Sequence, residues 1–204
     1  AEKLSVFLRE GTLTKEDGYR YNKKTGRRIS ACIPVHVFGH PAKIRDIVRI
    51  CSEHNILVVE DAAESLGSWY DGRHTGTFGK LGVLSFNGNK TITTGGGGMV
   101  ITDDEALARR VKHLSTTAKV PHAWDFMHDE VGYNYRMPNV NAAIGCAQME
   151  SLEMFLGKKR DLAKQYARFF AKAGIEFFTE PEDCRSNYWL NTVLLENRAA
   201  RDAF

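Results

Sequence analysis

The sequence predicts an α/β fold, in which a mostly parallel sheet flanked by helices is followed by the start of a smaller α+β region. Short apolar runs, each about one strand long, alternate with longer segments that carry apolar residues at helical spacing. The runs are apolar throughout rather than alternating, which is typical of parallel strands covered on both faces. The predicted strands of this sheet are 31–39, 56–63, 83–87 and 98–102.

The segments between and after these strands carry helical patterns. Residues 42–55 place their apolar side chains three and four positions apart, which predicts a helix. Asp103 and Asp104 are typical of a helix N-terminus and predict a helix that begins just after them. From Asn139 to about Ala173 the pattern predicts one long helix, bent near Gly157.

The last quarter of the chain has a different character. The segments 175–178 and 187–196 predict strands that do not belong to the first sheet. We therefore expect a large domain over residues 1–150, followed over residues 151–204 by a connecting helix and an incomplete small domain.

Composition and charge exclude several classes of partner. The chain has 204 residues and a formal net charge of +3, with basic and acidic residues interspersed. It lacks the dense basic stripe of a nucleic-acid-binding protein, so no nucleic acid is expected as a partner. No apolar run approaches the length of a membrane span, and the N-terminus has no signal-peptide pattern. The expected compartment is the cytoplasm.

Cysteine and histidine spacing does not predict a metal site. No CxxC pair is present, which argues against a zinc knuckle or a thioredoxin-type motif and suits a reduced protein. His36 and His40 are four residues apart, but on a strand followed by a Gly-His-Pro turn they do not share a face as on a helix. Packed or turn histidines are the better interpretation. The cysteines are Cys32, Cys51, Cys146 and Cys184.

The residues best suited to catalysis or ligand binding follow the predicted strands. In an open α/β sheet, ligands bind at the carboxyl ends of the strands. Glu60 and Asp61 end the second strand, and Ser85 and Lys90 lie at or just past the end of the third. The glycines 95–98 lead into the fourth strand. An acid, a hydroxyl, a lysine and bare backbone are therefore expected on one rim.

This set of groups fits pyridoxal phosphate chemistry, whereas neither the GxxxxGK[ST] nor the GxGxxG phosphate motif is present. A lysine amine forms a Schiff base with the cofactor aldehyde, and a carboxylate keeps the pyridine nitrogen protonated. A serine hydroxyl, backbone N–H groups or a helix N-terminus hold the phosphate. On this hypothesis the glycines 95–98 remove side chains that would block a planar cofactor from Lys90. Taken one at a time, a strand-terminal aspartate is more often a turn or cap residue and a lone lysine is more often a surface residue.

Three stretches carry a resemblance to a known family. VVEDAAESLGSWYDGRHTGTFGKLGVLSFNGNKTITTGGGGMVITDDEALARRV resembles the central motif block of the DegT/DnrJ/EryC1/StrS aminotransferases, and so do HDEVGYNYRMPNVNAAIGCAQMESLEMF and PVHVFGHPAKIRDI. The resemblance covers most of the chain, from about Ala31 to about Trp189. It implies a fold-type I enzyme that uses pyridoxal 5'-phosphate and acts on keto sugars attached to nucleotides.

The resemblance also implies a branch of the family. RYNKKTGRRISACIPVHVFGHP combined with SFNGNKTITTGGGGM most resembles enzymes that aminate UDP-linked 4-keto-6-deoxy-N-acetylhexosamines, in bacillosamine- and legionaminate-type pathways. Perosamine synthases share much of the same pattern and are the nearest alternative. The amino donor implied by the family is L-glutamate, in a ping-pong cycle.

Residue by residue, the resemblance implies four cofactor contacts within this chain. Lys90 would form the Schiff base and later move the proton between the cofactor and the sugar carbon. Asp61 would pair with the pyridinium nitrogen, and Ser85 would bind the phosphate. Glu64 stands where the family often has Gln and would contact the ring hydroxyl of the cofactor.

Two further residues are implied in a shared site. In the family, each site is built across a dimer interface, so a homodimer is expected. Asn134, in the GYNYR motif, would reach the phosphate in the neighbouring subunit. Arg136 would serve the same site or anchor its own loop. A structural turn is an equally open interpretation of both residues.

The chain departs from the family at both ends. It begins without the N-terminal phosphate-binding loop and dimer helix of the family, and it ends where the small domain would continue. A fragment that is inactive alone is therefore expected. A non-catalytic regulatory or interaction module remains an alternative, whereas dehydration is disfavoured because relatives with that activity have histidine in place of the lysine.

Overall fold

The computed structural model describes all 204 residues of the chain. The helices are α1 (Glu2–Glu10), α2 (Ile44–Ser52), α3 (Glu105–Ser115), α4 (Asn139–Glu150), α5 (Leu152–Lys172) and α6 (Arg198–Ala203). The strands are β1 (Thr12–Thr14), β2 (Arg20–Asn22), β3 (Ala31–Cys32), β4 (Leu57–Asp61), β5 (Trp69–Tyr70), β6 (Arg73–His74), β7 (Leu81–Ser85), β8 (Gly98–Ile101), β9 (Lys119–Val120), β10 (Met127–His128), β11 (Glu176–Phe177), β12 (Cys184–Arg185) and β13 (Val193–Leu194). No helix combines the length and the apolar character that crossing a bilayer requires.

A four-stranded sheet in the order β3-β4-β7-β8 forms the centre of the molecule. The β3–β4 and β4–β7 pairs are parallel, and only the edge strand β8 is antiparallel. The predicted mixed α/β fold with a mostly parallel sheet is therefore confirmed. The first strand is shorter than predicted because Pro34 carries no backbone N–H, and the chain turns into a short 3₁₀ segment at Val37–Gly39.

One face of this sheet is covered by α2. The apolar face of α2, including Ile44, Ile50 and Cys51, packs with Ile56 and Val58 at β4. Leu8 of α1 joins the same cluster, so the N-terminal helix is part of this core. Burial of these apolar side chains stabilises the packing of α1 and α2 against β4.

The opposite face of the sheet is covered only in part: Val83 and Val100 line a cavity together with Val111 and Leu114 of α3, so the predicted cover of this face is incomplete in this chain. Ile33, Leu57, Val83 and Val100 are 64%, 56%, 37% and 42% exposed. Because Val83 pairs with both Asp61 and Val100, and side chains alternate along a strand, these residues share one face. We call Ile33, Leu57, Val83 and Val100 the open sheet face.

The long predicted helix is divided at Ser151, not bent near Gly157. Ser151 has φ −99° and ψ 3° and separates α4 from α5. Its N–H bonds back to the carbonyl of Gln148, which closes a turn there. Gly157 lies inside the unbroken α5, because an isolated glycine lowers helix propensity without removing a backbone hydrogen bond.

The predicted strand at 187–196 is also largely wrong. Only Val193–Leu194 pairs, with Glu176–Phe177, as a two-stranded antiparallel sheet. The residues before it, Ser186 and Asn187, are fully buried in a turn. Their side chains donate to the carbonyls of Gly39 and Glu64, so this turn lies against the loops at the carboxyl end of the central sheet.

Candidate active site

Asp61 and Glu64 lie at the carboxyl end of β4, as predicted. Asp61 is the last residue of the strand and accepts the N–H of Ala63 at 3.1 Å through Oδ1, which leaves Oδ2 without a bond inside the chain. Glu64 follows in the next turn, where Oε2 accepts the N–H of Phe38 at 2.7 Å. Phe38 has φ +58°, a left-handed conformation that aims its N–H at this carboxylate.

Lys90 lies in the loop after β7 and is nearly buried. Its side chain is 14% exposed, and Nζ lies 3.9 Å from Oε1 of Glu64. The same Nζ is 4.0 Å from the ring centroid of Trp189. The amine is thus held between a carboxylate and an indole face, with no hydrogen bond that would have to be broken before it reacts.

Ser85 lies on the strand beside Asp61. It ends β7, two residues after Val83, which pairs with Asp61, so Ser85 and Asp61 are on the same face of the sheet. Its Oγ accepts the N–H of Asn87 at 3.4 Å. The hydroxyl therefore sits at the carboxyl end of the sheet, next to the turn that leads to Lys90.

Glu60 does not join the rim, although the sequence places it beside Asp61. Its side chain is fully buried on the other face, where it bonds His36 at 3.0 Å and accepts the N–H groups of Gly76, Phe78 and Gly79. Burial acts to raise the pKa of Glu60, but the bonds from His36 and the backbone amides outweigh it and lower that pKa. Glu60 is a structural anion.

The glycine run has local structural roles in addition to the predicted one, which stays a prediction. Gly95 and Gly97 have φ +81° and +92°, so they supply the turn that enters β8. A Cβ on Gly98 would lie 2.5 Å from the carbonyl oxygen of Leu84 in the neighbouring strand. The turn into β8 and the packing of β8 against β7 therefore both require glycine in this run.

Asn134 and Arg136 lie apart from the other predicted site residues. Arg136 Nε donates to Asn134 Oδ1 at 2.9 Å, and both residues are exposed in the loop before α4. No hydrogen bond or ion pair joins them to Asp61, Glu64 or Lys90. Arg136 instead lines a cavity of about 840 Å³ between β8, α3 and this loop.

The two histidines of the early turn are packed side chains, as expected. His36 is fully buried and bonds Glu60 through Nε2, while its Nδ1 accepts the N–H of Ala42 at 3.1 Å. His40 is 5% exposed and lies edge-on to the rings of Phe178 and Tyr188. Burial lowers the pKa of His40.

Asn187 and Trp189 complete the rim, and sequence reasoning missed both. Asn187 is fully buried, and its Nδ2 donates to the carbonyls of Glu64 at 2.8 Å and Leu66 at 2.9 Å. Trp189 covers Lys90 and donates Nε1–H to the carbonyl of Asn89 at 2.7 Å. The available signal was the pair of asparagines in SNYWLN, because asparagine is depleted in strands.

The arrangement of these residues agrees with the match to a family model. Residues 21–204 match the model of the DegT/DnrJ/EryC1/StrS aminotransferase family. The chain belongs to this family. The implied fold is likewise confirmed, since the aminotransferase TlmJ from Streptoalloteichus hindustanus superimposes with a TM-score of 0.82 at 31% identity, over 89% of this chain and 50% of that one.

Named relatives of the DegT/DnrJ/EryC1/StrS family bear on the chemistry. EpsN of Bacillus subtilis (strain 168), whose name describes a pyridoxal phosphate-dependent aminotransferase, is 42% identical over 86% of this chain and 45% of its own length. The GDP-perosamine synthase of Escherichia coli O157:H7 is 39% identical over 88% of this chain and 49% of its own length. The chain thus spans about half the length of these relatives.

The rim residues fit pyridoxal phosphate, the cofactor that the name of the relative EpsN states. A nearly buried lysine amine without a hydrogen bond suits attack on an aldehyde, and the unbonded Oδ2 of Asp61 is an acceptor for a protonated ring nitrogen. Ser85 offers a hydroxyl at the end of β7 for a phosphate oxygen. The donor set therefore agrees with pyridoxal phosphate.

Proposed function

We propose that this chain is the cofactor-binding part of a pyridoxal phosphate-dependent sugar aminotransferase of the cytoplasm, with residues 1–150 as its large domain. The observation that carries the proposal is the Lys90 amine, which is 14% exposed and held between Glu64 and Trp189 at the carboxyl end of a parallel sheet. An ordinary surface lysine would be solvated, and a structural lysine would make hydrogen bonds. When bound, the cofactor supplies an aldehyde and an electron-accepting ring.

Each rim residue has a role that follows from its surroundings. Lys90 would provide the nucleophilic amine, and the same amine would then carry a proton between the cofactor and the sugar carbon. Asp61 would hold the ring nitrogen through Oδ2, which has no bond inside the chain, and Ser85, at the end of β7, would donate its hydroxyl to the phosphate. Glu64 keeps one oxygen on Phe38 and offers Oε1 to the ring hydroxyl.

Asn134 and Arg136 are proposed to act in a second subunit. They bond to each other, are exposed and make no bond to Lys90 or to the carboxylates near it. A homodimer in which each GYNYR loop reaches the phosphate site of its partner would give them a ligand. In that case their substitution affects cofactor binding only in the dimer.

The proposed reaction transfers the amino group of L-glutamate to a nucleotide-linked 4-keto-6-deoxy sugar. The combined motifs at 20–41 and 85–99 favour a UDP-linked N-acetylhexosamine. A GDP-linked sugar is the second candidate, favoured by the 39% identity to a relative named GDP-perosamine synthase. Turnover of the full-length protein with L-glutamate and each sugar nucleotide in turn distinguishes the two.

Pyridoxal phosphate, borohydride and peptide mass mapping test the proposal on the chain itself. We expect a phosphopyridoxyl adduct at Lys90 and none at Lys80, the matched control, which an ion pair with Asp104 at 2.6 Å occupies. Lys90→Ala should remove the adduct and leave the fold unchanged. An adduct spread evenly over the exposed lysines, with none enriched at Lys90, would refute the proposal.

A further inference from the structure

Trp189 makes two contacts with the turn that carries Lys90. Its indole face lies 4.0 Å from Nζ of Lys90, and its Nε1–H donates to the carbonyl of Asn89 at 2.7 Å. The turn itself is closed by the N–H of Lys90 bonding the carbonyl of Asn87 at 3.0 Å. One side chain therefore fixes both the backbone and the amine of the reactive residue.

Trp189 can do this because the turn before it is anchored to the sheet. Ser186 Oγ donates to the carbonyl of Gly39 at 2.9 Å, and Asn187 bonds the carbonyls of Glu64 and Leu66. Asn187 Oδ1 accepts the N–H of Trp189 at 2.8 Å. The indole is thus attached to a buried turn that is hydrogen-bonded to the loops at the end of the central sheet.

Asn187 also reaches the residue that follows the lysine. Its Nδ2 lies 3.3 Å from Oγ1 of Thr91, while the indole N–H holds Asn89. The residues on both sides of Lys90 are therefore bound by the same distant segment. A lysine has four rotatable side-chain bonds, so restraint of its backbone and its amine together is what sets the direction of attack.

We propose that Trp189 is a positioning residue for Lys90: it covers one side of the amine and holds the Asn87–Lys90 turn, so that an aldehyde reaches the amine only from the side away from the indole. This rests on the proposed function insofar as the aldehyde is that of pyridoxal phosphate. The covering of the amine is a separate statement, which a reagent unrelated to that cofactor can test.

The test labels all lysines of the intact chain in competition, with two probes. The first is a trace of acetic anhydride, and the second is pyridoxal phosphate followed by borohydride. Labelling at Lys90 is measured by peptide mass relative to the exposed Lys24. The variants are Trp189→Leu, which loses the ring and the N–H, and Trp189→Phe, which keeps a ring but loses the N–H.

In Trp189→Leu we expect acetylation of Lys90 to rise several-fold and its phosphopyridoxyl adduct to fall several-fold. The opposite directions arise because the uncovered amine is more accessible but less well oriented. Trp189→Phe should restore protection from acetic anhydride while recovering only part of the adduct. Unfolding would instead change the far-ultraviolet circular dichroism spectrum, so a spectrum equal to that of the wild type verifies the fold.

Equal Lys90 labelling by both probes in the wild type and Trp189→Leu would overturn the proposal. So would a rise with both probes. If the wild-type chain takes no pyridoxal phosphate at Lys90, the proposed function fails. The acetic anhydride comparison then still decides whether Trp189 covers the amine.

Discussion

His36 and Glu60 form a fully buried pair, with Nε2 of the histidine 3.0 Å from Oε2 of the carboxylate. The carboxylate oxygens of Glu60 also accept hydrogen bonds from three backbone N–H groups of the 76–79 loop. His36 in turn holds the N–H of Ala42, just before α2. The pair therefore links two loops, 36–42 and 76–79, to the end of β4, one residue before Asp61.

Glu60→Ala should destabilise the chain by at least about 3 kcal/mol, because it leaves His36 Nε2–H and three backbone N–H groups without an acceptor, at roughly 1–3 kcal/mol for each buried group. Glu60→Gln should cost less, since its amide oxygen still accepts from the loop. Urea unfolding followed by circular dichroism measures the change. The matched control is Glu53→Ala at the exposed Arg49–Glu53 pair, where we expect a change within about 0.5 kcal/mol. Equal costs for the two alanine variants would contradict the role given to Glu60.

Asn187→Ala tests whether the turn at 186–189 is fixed by this side chain. The substitution removes the donors to the carbonyls of Glu64 and Leu66 and the acceptor for Trp189 N–H. Each unpaired buried group costs roughly 1–3 kcal/mol, so we expect a loss of at least about 2 kcal/mol in urea unfolding. Asn191→Ala, at an exposed position in the same segment, is the control. A small, equal effect at both positions would mean that packing of the backbone alone holds the turn.

His40 should make the stability of the chain fall in mild acid. Burial lowers its pKa, and Glu180 opposes this only in part. In the unfolded chain the pKa of histidine is about 6.5, so below that pH the unfolded state binds a proton that the folded state does not. The free energy of unfolding therefore decreases as the pH drops through about 6.5 towards the lower folded pKa.

The variant for this prediction is His40→Phe, which keeps an aromatic ring between Phe178 and Tyr188. Urea unfolding at several pH values should show a smaller loss of stability in acid than in the wild type. Part of the loss will remain, because burial also lowers the pKa of His74. Parallel curves for the two proteins would show that His40 is protonated equally in both states.

The central sheet could be predicted because its strands are continuous apolar runs bounded by polar or glycine residues. The same pattern misplaced the end of β3, where Pro34 and the turn at 37–39 override the apolar composition. The division at Ser151 was not predictable, since local backbone geometry decides it within a helical pattern. The open sheet face was missed because periodicity reports that a strand is apolar, not what covers it.

For the site, chain order was sufficient to place Asp61, Ser85 and Lys90 at the strand ends. It could not separate Glu60 from Asp61, because adjacent strand residues face opposite ways and the register decides which is buried. Trp189 contacts Lys90 although the two residues are 99 positions apart in the sequence. The hydrogen bond that orients Trp189, to the carbonyl of Asn89, is likewise formed only in the folded chain. Long-range packing of this kind has no local sequence signal.

The open sheet face predicts self-association of the isolated chain. Ile33, Leu57, Val83 and Val100 are exposed apolar residues on one face of the sheet, and burying apolar surface of this kind on association is favourable. The double variant Leu57→Thr and Val83→Thr should bind less anilinonaphthalene sulfonate and sediment at a lower mass than the wild type. Threonine is β-branched, which favours strands, so β4 and β7 should persist. Leu13→Thr, at an apolar residue 40% exposed in the β1–β2 hairpin, is the control. If the double variant associates as strongly as the wild type and the control variant, a surface other than the open sheet face drives association.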